Sequence, residues 1–206
     1  IADLTQITGF SRGTIQRTTH TLCAIGMLRR IEGSSFFELG TRIVRQAYNF
    51  LTGHPLIEVA MPYLVELNAE LELSCDVWLV DGTDMILAAH TPLLNGNEPM
   101  TAVGLRVSAL SHPASRGVFA ALSEEDRNTW ASEVPEKVVR SFDAESARVQ
   151  VRKSGYYVEE NTPNGGGTGC SATITDFHGS PVAAISTTIG PKEDRESNKA
   201  RRGGGQ

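Results

Sequence analysis

The chain has 206 residues, 40% of them hydrophobic and 21% charged, with a formal net charge of −5. Those proportions are ordinary for a water-soluble globular protein, and no apolar run approaches the ~20 residues of a transmembrane helix. No signal peptide is visible, and three cysteines (Cys23, Cys75 and Cys170) without CxxC spacing point to free thiols, so the cytoplasm is the expected compartment.

In chain order, residues 1–8 carry apolar side chains at Ile1, Leu4 and Ile7, the spacing of a short helix with one buried side. Gly9-Phe10 breaks it, and Ser11 stands where an N-cap belongs. A second helix is predicted over 12–25, burying Ile15, Thr19 and Leu22 and leaving Arg12, Gly13, Thr14, Gln16 and Arg17 outward. Gly26 is its stop. Apolar segments at 27–31 and 36–39 flank Glu32-Gly-Ser-Ser35 and read as a hairpin, so residues 1–40 form a winged helix-turn-helix. Arg12, Thr14, Gln16 and Arg17 suit base edges or phosphates of a DNA major groove, with Ser11 and Arg29 near the backbone. Charge is segregated in the same sense. Residues 1–46 hold six arginines against three acids, a net of +3, which leaves −8 on the remainder.

A linker helix is expected over 41–53, its wide apolar face open to dimerisation, and a second helix follows at 56–71. The body then alternates. Segments 74–80 and 85–91 flank Asp81-Gly-Thr-Asp84, a hairpin signal. A loop is expected over 92–98 and a third strand from Met100. Three helices follow: a buried one at 115–122, one capped by Ser123 and one capped by Asp143 that ends at Gly155. Strands at 156–159, 170–175 and 182–189 close the body. Strand pairs at both ends with helices between them describe an α+β module, an antiparallel sheet covered by helices, over 54–190. The polar stretch 191–206 is expected to be a disordered tail.

No segment carries a recognisable catalytic arrangement. Asn164-Gly-Gly-Gly-Thr-Gly169 lacks the Lys-Ser/Thr and the following helix of a phosphate loop. The five histidines, His20, His54, His90, His112 and His178, show no zinc-binding spacing, so neither metal nor cofactor is expected. His112 and Ser115 lie three apart without a nucleophile elbow and read as pocket or cap residues. Trp78 is open to two readings, facing a ligand or filling the core.

Taken together, residues 2–17 (ADLTQITGFSRGTIQR), Leu22, 26–28 (GML), 37–40 (FELG), 80–84 (VDGTD), 112–117 (HPASRG), 155–156 (GY) and 176–185 (DFHGSPVAAI) make this chain resemble IclR-family transcriptional regulators over about residues 1–190. The resemblance implies a winged helix, a linker helix and a GAF-like effector domain that binds a small organic acid, often aromatic or a central metabolite. It also implies dimers or tetramers that bind double-stranded operator DNA and control catabolic operons. Three departures accompany it. The family's first helix has no counterpart before Ile1, so weaker DNA binding than by a form extended upstream is expected. The loop 161–169 is unusually glycine-rich, and the polar tail stands where a closing helix is usual. Effector contacts are expected from Trp78, Leu110, Ser111, His112, Ser115, Cys170 and Ser171, because small polar residues leave room for a carboxylate and offer donors to it. The alternative from another class is an enzyme built on the α+β body with an interaction-only head.

Overall fold

The computed structural model describes residues 1–93, 102–160, 162 and 167–190. The strand start expected at Met100, the tail 191–206 and parts of the loops at 92–98 and 161–169 lie outside the described residues. The chain divides into two compact units, Ile1–Pro55 and Leu56–Gln206.

In the first unit, α1 (Ala2–Thr8) ends at Gly9, whose φ of 71° is left-handed and lets its N–H reach the Thr5 carbonyl. The next helix, α2 (Arg12–Ala24), buries Ile15 and Thr19, and the Thr19 hydroxyl donates to the Ile15 carbonyl at 2.8 Å. Strands β1 (Leu28–Arg30) and β2 (Phe37–Leu39) pair antiparallel as the wing. A Cβ on Gly40 would meet the Gly26 backbone oxygen at 2.1 Å, so only glycine lets the chain leaving β2 pass the end of α2. Helix α3 (Arg42–Gly53) follows and has no buried residue. Val44, Tyr48 and Phe50 on it are exposed.

The second unit opens with α4 (Pro55–Leu71), which buries Ile57, Ala60, Leu64 and Asn68. Asn68 is tied down through its Nδ2, which donates to the carbonyls of Leu73 and Pro92. Strands β3 (Cys75–Asp81), β4 (Asp84–Thr91), β5 (Arg106–Val107), β6 (Tyr157–Glu159), β7 (Thr168–Thr175) and β8 (Pro181–Ile189) form one sheet in the order β5-β4-β3-β8-β7-β6. Every pairing in it is antiparallel. Between β3 and β7 in sequence lie α5 (Pro113–Ala121), α6 (Glu124–Glu133), α7 (Glu136–Arg140) and α8 (Ala144–Ser154). The unit is thus α+β with a GAF-like antiparallel sheet. Ser123 caps α6 through the Asp126 N–H, and Asp143 caps α8 through the Ser146 N–H.

Alternation along β3 puts Trp78 and Val77 on opposite faces, and the structure buries both. The pairs Val77–Ala89 and Trp78–Leu87 skip Ala88, a β-bulge that bends the ladder at the tryptophan. Trp78 packs with Met85, Leu87, Ala114, Val118 and Ala184, so its ring fills the core under α5, and its Nε1 donates to Ser186 Oγ at 2.9 Å. A second cluster joins Ala109, Leu110, Phe119, Trp130 and Val134. A third joins Ala120, Ala147 and Tyr157 where α5 meets α8 and β6.

Candidate functional site

Two surfaces follow from this architecture, one in each unit. At the start of α2, Ser11 is extended (φ −62°, ψ 150°) and its Oγ accepts the Thr14 N–H at 3.2 Å. The Thr14 hydroxyl lies 3.0 Å from the same Oγ. Ser11 and Thr14 therefore build the helix start together, and Thr14 is half-buried. Arg12, Gln16 and Arg17 are exposed, because Ile15 and Thr19 turn the opposite side inward. On the wing, Arg29 is exposed but ion-paired with Glu38 across the β1–β2 ladder, so part of its charge is answered within the protein. Arg30 donates from Nε to the Ser34 carbonyl at 3.2 Å.

In the second unit, the expected effector residues converge on the N-terminus of α5. His112 is its N-cap, with Nδ1 accepting the Ala114 N–H at 3.2 Å. Burial, seconded by the nearby Arg116 charge, lowers the His112 pKa to about 4, which keeps the ring neutral and Nδ1 free to accept. The Ser115 hydroxyl donates to the His112 carbonyl at 2.8 Å and accepts the His112 N–H at 3.3 Å, closing a capping box. Across the gap to β7, Ser171 Oγ donates to the Pro113 carbonyl at 2.9 Å. The Trp78 ring stands 4.5 Å from that of His112.

The structure brings Trp78, Leu110, His112, Ser115 and Ser171 into one neighbourhood, but small side chains there serve close packing. A Cβ on Gly117 would lie 2.5 Å from Ser171 Oγ, and one on Gly169 would lie 2.3 Å from Pro113 Cγ. Ser115 and Ser171 are buried with their hydroxyls bonded to backbone. Ser111 is exposed and donates to the Ser108 carbonyl at 2.6 Å. Cys170 is a free, half-buried thiol whose pKa burial raises, so it stays protonated.

Arg116 is the residue that sequence reasoning missed. Leu110 adopts a positive φ of 59°, and its carbonyl accepts the Arg116 Nε–H at 2.8 Å. The guanidinium ion-pairs with Glu159 and stands 5.6 Å from the Phe142 ring centroid. Its signal was a lone arginine inside the small, apolar helix segment 113–121. Among the described residues no group of three or more His, Cys, Asp or Glu could hold a metal, and no helix is long and apolar enough to cross a membrane.

The chain thus joins a winged helix-turn-helix head to a module with a GAF-like antiparallel sheet. Similar solved structures carry this combination in one particular group. An IclR family transcriptional regulator from Brucella abortus matches 98% of this chain over 79% of its own, at 19% identity and a TM-score of 0.80. An IclR transcriptional regulator from Alicyclobacillus acidocaldarius matches 95% of this chain over 82% of its own, at 16% identity and a TM-score of 0.70. An IclR homolog from Microbacterium hydrocarbonoxydans, complexed with 4-hydroxybenzoate, matches 93% over 81%, at 18% identity and a TM-score of 0.64. No family model and no curated protein matches the chain. Its fold is the fold of IclR-family regulators.

Proposed function

We propose that this protein is a transcriptional regulator of the IclR type, which binds double-stranded operator DNA and answers a small organic acid to control a catabolic operon in the cytoplasm. The observation that carries the reading is the start of α2, where Arg12, Gln16 and Arg17 stand exposed on a capped helix between a tight turn and a wing. Arginine and glutamine read guanine and adenine edges bidentately, each contact contributing about 1–3 kcal/mol of discrimination. A dimer would place two such helices on half-sites about one helical turn apart. The uncovered Val44, Tyr48 and Phe50 of α3 support a dimer contact there. Acid binding in the second unit would shift the spacing of the paired heads.

The effector class rests on the fold and on the 4-hydroxybenzoate in the Microbacterium homolog. Burial keeps His112 deprotonated and neutral, so Arg116 rather than the imidazole supplies the positive charge beside the start of α5. The direct test is selection from a random duplex pool, followed by fluorescence anisotropy between about 50 and 200 mM salt. An enriched sequence whose affinity falls log-linearly with salt is expected. Uniform binding of every duplex, or none, would overturn the reading.

A further inference from the structure

Beside Arg116 lies a cavity of about 500 Å³, framed by α5, α8 and β6. Phe142, Ala147, Tyr157 and Val158 line it with apolar surface, and Ser146 and Gln150 add polar groups. That volume and that mixture suit a small ligand with an apolar body. Arg116 is the one cation lining it among the described residues. The Asp143 carboxylate also borders it, but accepts the Ser146 N–H as the α8 cap.

The Arg116–Glu159 pair is badly completed. Both side chains are largely buried, at 13% and 15% exposure, and the contact runs through Glu159 Oε1. The second oxygen, Oε2, is buried with no hydrogen-bond partner. A buried carboxylate oxygen without a donor is costly, and a desolvated ion pair is weak support unless its remaining lone pairs are satisfied. Arginine, by contrast, offers a planar fork that a free carboxylate engages with both oxygens. The Leu110 carbonyl fixes that fork from behind at Nε, and the Phe142 ring lies under it. Glu159 is the last residue of β6, at the edge of the sheet, and the next residue, Glu160, is exposed. A short outward swing therefore restores water to both Glu159 oxygens.

We propose that this cavity is a carboxylate-exchange site, in which a small acid with an apolar, ring-sized body takes Arg116 from Glu159. The inference rests on the reading of the second unit as an acid sensor and names the residue that sensing uses. Glu159 is then an internal competitor: it holds the site closed in the absence of acid and sets the threshold concentration. Release of Glu159 loosens the end of β6, where Glu159 pairs with Gly169 of β7, and this is the structural event that the bound acid produces.

The test uses the full chain with sodium benzoate as probe, benzamide as its uncharged counterpart, and sodium chloride to hold ionic strength. Titration calorimetry of Glu159→Gln should show benzoate binding at least about tenfold tighter than in the unsubstituted protein, the worth of one charge-assisted contact. Benzamide should not bind, and Arg116→Gln added to Glu159→Gln should abolish the gain. Equal affinity with and without Glu159→Gln, no benzoate binding by Glu159→Gln, or binding that survives Arg116→Gln would each overturn the proposal. Should Glu159→Gln fail to fold, Glu159→Ala supplies the second arm. Benzoate, but not chloride, should raise its melting temperature, and absence of that rescue overturns the proposal equally. DNA binding separates the two readings. Exchange at Arg116 without operator binding would leave this site standing and remove the regulator, whereas operator binding without exchange would do the reverse.

Discussion

The two units are built on opposite terms. In Ile1–Pro55 the buried side chains among the described residues are Ile15 and Thr19, while Ile7, Phe10, Phe36, Leu39, Val44 and Tyr48 are exposed. In Leu56–Gln206 a six-stranded sheet and its helices bury Trp78, Leu64, Met85, Leu87 and Val118 almost completely. Apolar burial is the main favourable term in folding, so the second unit holds most of the chain's own stability, and the first is shaped to present surface. The difference teaches where variation acts. Changes in the core of the second unit act on folding, and changes on α2 act on exposed surface.

The largest effect that sharpens this contrast is expected from Trp78→Ala. It empties the centre of the α5–sheet core and removes the bond to Ser186, at about 3–5 kcal/mol. Urea unfolding followed by circular dichroism measures it, and a loss below ~1 kcal/mol would show that the core repacks around the gap.

Next in size is acid sensitivity. Because the folded pKa of His112, about 4, lies below its ordinary 6.5, the unfolded chain binds the proton first. The group's contribution is complete above pH 6.5 and lost as pH falls toward 4, by about 3 kcal/mol. His112→Asn keeps a capping side chain without a titrating ring, so its stability should fall less over that range. Parallel pH profiles for the two proteins would place the acid sensitivity elsewhere.

On the presenting surface, Arg17→Ala is expected to weaken operator binding by about 1–3 kcal/mol and relax its selectivity, while urea unfolding of the second unit stays unchanged. The same loss on every DNA sequence would make Arg17 a phosphate clamp. The smallest effect is Ser11→Ala, which removes one cap at about 1 kcal/mol. Faster hydrogen exchange at the Thr14 N–H would report it, and unchanged exchange would mean that the turn alone holds the helix start.

Local signals carry most of the elements because their causes are local. Ser11, Ser123 and Asp143 cap the helices that the sequence predicts for them, and Gly155 ends α8 at a left-handed φ of 82°. Asp81-Gly-Thr-Asp84 turns β3 into β4. Helix α5 starts two residues before the expected 115, since His112 rather than Ser115 is the cap and Pro113 opens the first turn. The five-residue α7 escapes prediction because so short a helix shows no periodicity.

What the sequence by itself determined is the order and kind of these elements apart from α7, the basic head, the acidic body and the exposure of Arg12, Gln16 and Arg17 on α2. Caps, turns and periodicity act within a few residues of one another. Only the tertiary structure decided how the body's candidate residues meet. Smallness at Ser115, Gly117, Gly169 and Ser171 reads equally as room for a ligand or as close approach of helix and sheet, and in the structure α5 and β7 approach closely at these positions. Arg116 and Glu159, 43 residues apart in the chain, become partners only when β6 takes its place at the sheet edge beside α5. Burial then turns an ordinary arginine and glutamate into an incompletely bonded pair, because low dielectric surroundings raise the cost of the one oxygen left without a donor.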